Sequence, residues 1–242
     1  MEIDVGPLGK TSGLAYLASG HDRVHATVVL AHGAGAPQQS RFMTQFASGL
    51  ASRGVDVLTF NFLYTEQGRR IPDRTATLEA CYRAAIATAW AHAPFAGNRL
   101  FIGGKSMGGR IATQLASGSE QRAVGNSQSP TSNAQAPDVR GVVLLGYPLH
   151  PPGKPEQLRT AHLPGIRVPM LIVQGSRDPF GTPAELRPVL DALASPVTLH
   201  VVENGDHSLA PPKRAGSIDQ VYRGVHDVIA RWIGQLARSS PP

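Results

Sequence analysis

The chain of 242 residues reads as an α/β protein with a mostly parallel, doubly wound sheet flanked by helices, and three observations lead there. Short apolar or β-branched runs alternate with longer segments of helical periodicity, which is how a parallel sheet covered on both faces is written. A hydrophobic content of 41% over this length fills one sizeable core, so residues 1–242 are expected to form a single domain. Glycines also cluster where one apolar run turns into a helix, at Gly103, Gly104, Gly108 and Gly109.

Strands are expected at residues 27–31, 55–61, 100–103, 141–146, 170–174 and 197–202, with a weaker antiparallel candidate at 13–17. Helices are expected between them at 40–53, 74–92, 106–117 and 183–193, with a last one from Ser217. Cys81 falls at helical spacing with Leu78, Tyr82, Ala85 and Ile86, a packing position rather than a reactive one. The last helix carries Ile218, Val221, Tyr222, Val225, Ile229, Trp232, Ile233 and Leu236 as one stripe, and Ser217 with Gln220 reads as its capping box. Residues 117–138 are rich in Ser, Asn, Gln, Pro and Gly and poor in apolar side chains, so a mobile surface excursion is expected there, and residues 238–242 read as a flexible tail. Residues 147–167 contain Pro148, Pro151, Pro152, Pro155 and Pro164, which forbid a long helix or strand. That segment is too short for an independent core, so no lid domain is expected.

Several function classes are excluded early. No stretch approaches the length of a membrane span, and Met1-Glu2-Ile3-Asp4 lacks the basic-then-apolar order of a signal peptide. One cysteine forms no internal disulfide, which fits a reducing, cytoplasmic location. The net charge of +6 suggests anions or nucleic acid, but the basic residues are scattered, with Arg69-Arg70 the longest run, and no aromatic residues interleave them. No nucleic-acid partner is expected. Gly104-Lys105-Ser106 matches the end of a phosphate-binding loop, yet the position that needs the first glycine is Arg99 and the intervening residues form an apolar strand. Gly33 and Gly35 begin a dinucleotide fingerprint that stops at Gln38, and the next strand ends in Asn61 and Phe62 rather than an acid. No cofactor and no metal are expected.

Gly104-Lys105-Ser106-Met107-Gly108 is a G-x-S-x-G pentapeptide between an apolar run and a helix, the arrangement that pushes a serine hydroxyl out of a tight turn. A serine is a poor nucleophile at neutral pH; it needs an imidazole base, and the imidazole needs a carboxylate to hold its tautomer. Asp178 lies just past the expected strand 170–174, and His207 lies past the last strand and before the last helix. Both therefore fall with Ser106 at carboxyl ends of strands, where such sheets place their sites. Asp206 is the weaker candidate for the carboxylate, because sequence neighbours on a loop rarely face each other. Backbone N–H donors for a developing oxyanion are expected from Met107 and from the loop His32-Gly33-Ala34-Gly35, with Ala34 chosen and Gly35 the near alternative. His32 is expected to tie that loop down.

These landmarks resemble the α/β-hydrolase fold superfamily from about Thr27 to Leu236. Leu30 to Ala36, Gly104 to Arg110, Gly146 to Gly153 and Gln174 to Gly181 are similar to a lidless branch of hydrolases. That branch contains dienelactone-hydrolase-like proteins, testis-expressed relatives and the hydrolase-like domain of a non-specific-lethal complex subunit. The resemblance implies the fold and a Ser106, Asp178, His207 triad; it brings no substrate. Dienelactone hydrolases proper carry a cysteine nucleophile where this chain has Ser106, which argues against a lactone. The expectation is a serine hydrolase of carboxylesterase type acting on a small soluble ester-like substrate. The alternative is a catalytically idle hydrolase-like interaction module. Lys105, Arg110, Lys154 and Arg159 lie in the elbow and the neighbouring loop, where a side chain that reaches the site would favour an anionic group.

Overall fold

Side chains along the central strands alternate between two apolar layers, and this alternation places helices on both faces of one sheet. The computed structural model describes residues 1–19, 22–118, 138–214 and 216–239. The expected excursion at 117–138 and the end of the expected tail thus lie largely outside the described residues. The strands are β1 (Glu2–Asp4), β2 (Lys10–Tyr16), β3 (Ala26–Ala31), β4 (Asp56–Phe60), β5 (Arg99–Lys105), β6 (Val139–Leu145), β7 (Met170–Gly175) and β8 (Val197–Val202). Their order in the sheet is β1-β2-β4-β3-β5-β6-β7-β8. From β4 to β8 the pairing is parallel, while β2 joins β4 antiparallel, as the weaker candidate at 13–17 anticipates. The short β1 was not anticipated; three residues carry too little periodicity to be read.

The helices are α1 (Arg41–Ala51), α2 (Leu63–Glu66), α3 (Thr75–Ala91), α4 (Met107–Ala116), α5 (Pro183–Asp191) and α6 (Ile218–Arg238). Val29, Leu58, Ile102, Leu144 and Ile172 face the layer that holds Leu78, Tyr82 and Ile111 from α3 and α4. Val28, Val57, Phe101, Val143 and Leu171 face the opposite layer, with Met43 and Phe46 of α1 and Val225, Ile229 and Ile233 of α6. Phe46 packs edge-on against Tyr222 at 5.0 Å, joining α1 to α6. Cys81 is fully buried in the first layer.

Capping departs from expectation. Ser217 precedes α6 but its side chain makes no cap bond; its backbone carbonyl accepts from the N–H groups of Gln220 and Val221 instead. The box closes at α5, where the Thr182 and Glu185 side chains each satisfy the other's backbone N–H.

The strand order positions the site. From β3 the chain moves outward to β4 and then returns past β3 to β5, so successive connections diverge between β3 and β5. The carboxyl ends of those two strands border a crevice that the connections leave open.

Candidate active site

Ser106 sits in that crevice, between β5 and α4, with φ 50° and ψ −114°. A serine with positive φ costs on the order of 1–3 kcal/mol, and it persists only where the surroundings determine it. Here the surroundings do. A Cβ on Gly104 would lie 2.6 Å from the Ala31 carbonyl oxygen, and one on Gly108 would lie 2.5 Å from the same atom. Only glycine at both positions lets the turn close against the end of β3. The Ser106 N–H donates to the Leu145 carbonyl at 3.0 Å and its carbonyl accepts from Arg110 N–H at 3.0 Å, so the turn is tied to β6 and to the helix it starts.

His207 arrives from the loop after β8. Its Nε2 lies 2.8 Å from Ser106 Oγ, and its Nδ1 lies 2.8 Å and 3.0 Å from the two oxygens of Asp178. The Asp178 carboxylate is fully buried, whereas the imidazole keeps 20% of its surface open. Asp178 is held by two further donors: the Phe180 N–H at 2.8 Å and the Gln174 amide at 2.8 Å. With Nδ1 donating to Asp178, Nε2 is left to accept from the serine hydroxyl. The Phe180 ring stacks on the imidazole at 4.1 Å between centroids and limits its tilt. Asp206 has another task, since one of its oxygens accepts from the N–H groups of Ser208 and Ala210 and shapes the loop that carries His207.

Two contributors went unread in the sequence, and a third, Lys105, was read only for its charge. Gln174 is the amide at the end of the otherwise apolar run Met170-Leu171-Ile172-Val173, and that lone polar residue was the available signal. Besides Asp178, it binds the Gly181 carbonyl and accepts from Tyr147 N–H, joining the acid loop to the 147–167 segment. Phe180 gave no signal, because stacking depends on where two loops meet. Lys105 is buried rather than solvent-facing: its Nζ donates to the His207 carbonyl and lies 5.4 Å from the Phe42 ring centre. Burial lowers its amine to about 8 despite the nearby Asp178 and Asp206 carboxylates.

The loop after β3 is pinned from within. His32 is completely buried; Phe62 N–H donates to its Nε2 at 3.1 Å, so Nδ1 carries the proton and donates to the Gly33 carbonyl at 2.8 Å. Burial lowers its pKa to about 4, which keeps it neutral at pH 7. This is the tethering role expected for it.

Ser106, His207, Ala34 and Met107 all line one cavity of about 560 Å³, together with apolar walls that include Phe42, Leu78 and Phe180. Gly35 is not among its lining residues. Met107 is the first residue of α4, so its N–H has no partner within the helix. Pro148 and Arg159 bring the 147–167 segment to the cavity edge, and its only regular element is a 3-10 turn at Leu163–Gly165. Lys154, the outer basic residue of that loop, is exposed and does not line the cavity. Among the described residues no group of three or more His, Cys, Asp or Glu side chains is placed to hold a metal ion, and no helix is long and apolar enough to cross a membrane.

A sequence model of the alpha/beta hydrolase domain matches residues 24–234. The chain belongs to the alpha/beta hydrolase family. The fold is shared with solved structures of low identity. A dienelactone hydrolase from Anabaena variabilis superposes with a TM-score of 0.71 at 20% identity, covering 98% of this chain and 97% of that one. A serine hydrolase without a lid from Xanthomonas campestris gives 0.71 at 17% identity, covering 100% and 95%. An alpha-beta serine hydrolase homologue from Coxiella burnetii gives 0.68 at 16% identity, covering 96% and 95%. This alpha/beta hydrolase therefore has the mostly parallel sheet that its motifs anticipate, and among the described residues no lid domain covers the cavity.

Proposed function

We propose that this alpha/beta hydrolase is a serine hydrolase of carboxylesterase type, cleaving an ester or related acyl bond of a small substrate through an acyl-Ser106 intermediate. The observation that carries the proposal is the unbroken chain Ser106 Oγ, His207 Nε2, His207 Nδ1, Asp178, with 2.8 Å at each hydrogen bond.

In this reading the Ser106 oxygen attacks the substrate carbonyl carbon as its proton passes to His207 Nε2, and Asp178 stabilises the resulting imidazolium through Nδ1. The carbonyl oxygen becomes an oxyanion, which the Met107 and Ala34 N–H groups stabilise; one such donor contributes about 3 kcal/mol in comparable sites. The intermediate collapses, the C–O bond to the alcohol breaks, and His207 returns the proton to the leaving oxygen. Water then enters, His207 takes a proton from it, and the acyl group departs as a carboxylic acid while Ser106 regains its hydrogen.

A cavity of about 560 Å³ lies in the range of small-ligand sites and accommodates a compact substrate. The test is a fluorophosphonate probe. Wild type should gain one adduct on the peptide holding Lys105-Ser106-Met107, and Ser106→Ala should gain none. Labelling that persists in Ser106→Ala overturns the assignment.

A further inference from the structure

The cavity beside Ser106 holds more positive charge than its own residues neutralise. Its charged lining, His207 apart, consists of Lys105, Arg110, Arg159 and Asp73. Asp73 is already engaged, by Arg69 at 2.7 Å and by Tyr64 N–H at 3.0 Å. The Lys105 ammonium is directed to the His207 carbonyl. Arg110 and Arg159 remain, and neither forms an ion pair among the described residues.

The two arginines come from different elements and are brought together by the fold. Arg110 lies in the first turn of α4, four residues after Ser106, and so on the same side of the helix as the elbow. Arg159 lies on the 147–167 segment, where its N–H donates to Leu149 carbonyl at 2.8 Å and its own carbonyl accepts from the buried Tyr147 hydroxyl at 2.7 Å. Those two bonds fix the backbone from which the Arg159 side chain reaches the cavity. Burial first, and then Arg159, weaken the hold of Arg110 on its proton, which marks two like charges facing one partly dry space. Glu79 of α3 acts on Arg110 in the opposite direction, behind burial and Arg159, and lies 3.9 Å from Arg83. His162, next in line, bonds Thr113 at 2.8 Å and is kept neutral at pH 7 by burial and by Arg110, so it adds no charge to the cavity wall. Like charges gathered in a partly desolvated cavity repel unless an anion sits between them.

We propose that Arg110 and Arg159 form an anion subsite of the Ser106 cavity, so that the natural substrate carries a compact monoanion of the carboxylate class beside its ester bond. The inference rests on the hydrolase reading of the same cavity and names its substrate class. A planar guanidinium matches a carboxylate with two parallel N–H donors, which a scattered surface charge does not.

The experiment has a kinetic and a binding arm. In the first, kcat/KM is compared between 4-nitrophenyl hemiglutarate and 4-nitrophenyl butyrate, and between the acetate ester of 4-hydroxybenzoate and phenyl acetate. At least one charged member should lead its neutral partner by about tenfold or more, the scale of one charge-assisted contact. Arg110→Met and Arg159→Met should each collapse that ratio toward one, Arg159→Lys should retain part of it, and added salt should lower it in wild type. In the second arm, calorimetry on Ser106→Ala compares monomethyl glutarate with dimethyl glutarate. Binding of the monoanion alone, lost in Ser106→Ala with Arg110→Met, supports the subsite. Ratios at or below one in both ester pairs, or equal binding of the two glutarates, overturn it. Absence of fluorophosphonate labelling would instead remove the hydrolase reading, and the binding arm would still decide the subsite.

Discussion

Two buried aspartates at opposite edges of the sheet look alike in isolation and differ in where their hydrogen bonds lead. Asp56, at the amino end of β4, accepts from Ala18 N–H at 2.7 Å, Arg23 at 2.6 Å and Asn98 at 2.7 Å. Asn98 then turns to Thr27 at 2.8 Å, and the network closes among strand beginnings. Asp178, past the carboxyl end of β7, also has three donors, but one of them is His207, which passes the connection on to a serine in a cavity. Burial and satisfied bonds are therefore common to a strut and a candidate catalytic acid. What separates them is whether the chain of bonds ends on protein or on open space at the edge where the strands finish.

The harshest test of that distinction is Ser106→Ala, which should lower turnover of a short nitrophenyl ester by about 10⁵-fold or more while leaving the denaturation midpoint near wild type. A variant that unfolds would make Ser106 a structural residue after all. Exchanging the two aspartates comes next. Asp178→Asn should cut kcat by about 10³- to 10⁴-fold with modest loss of stability, because an amide at that position no longer favours the Nδ1–H tautomer. Asp56→Asn should do the reverse: a stability loss of about 2 kcal/mol, the scale of hydrogen bonds to a charged acceptor, with turnover per folded molecule little changed. Urea titrations and initial rates on the same samples decide it, and similar kinetic losses in both would erase the contrast.

Substrate length probes the open end. With no lid over the cavity among the described residues, acetyl and butyryl esters should exceed palmitoyl esters in kcat/KM by about a hundredfold, since few methylenes gain their ~0.8 kcal/mol of burial. Rates that climb with chain length from two to sixteen carbons would instead reveal an apolar channel.

The smaller effects come from residues on the active edge that hold rather than react. His32 stays neutral in the fold, with a pKa of about 4 against an ordinary value of 6.5. Its contribution is therefore complete above pH 6.5 and is lost as the pH falls toward 4, because the unfolded chain takes up the proton first. Wild type should lose on the order of 3 kcal/mol more than His32→Gln across that interval, measured as urea stability at pH 7 and pH 4. Lys105→Met should lower kcat about tenfold with KM nearly unchanged, since the lost bond to the His207 carbonyl lets the imidazole drift without touching substrate.

Much of this was legible from the chain alone because the signals are local. The six parallel strands, the elbow at Gly104-Lys105-Ser106-Met107-Gly108 and the positions of Asp178 and His207 after strands depend on apolar runs, glycines and chain order. Each of these is written within about ten residues. The capping box was misplaced at Ser217 for the same reason: Thr182-Pro183-Ala184-Glu185 and Ser217-Ile218-Asp219-Gln220 present similar local patterns, and rotamers choose between them. Only the tertiary structure decided that Gln174 grips Asp178, that Phe180 covers His207, that Lys105 turns inward and that Arg110 and Arg159 line one cavity. Those facts join residues from separate loops. Their geometry is set by how β5, β7 and β8 stack and twist side by side, and no spacing along the chain encodes that distance.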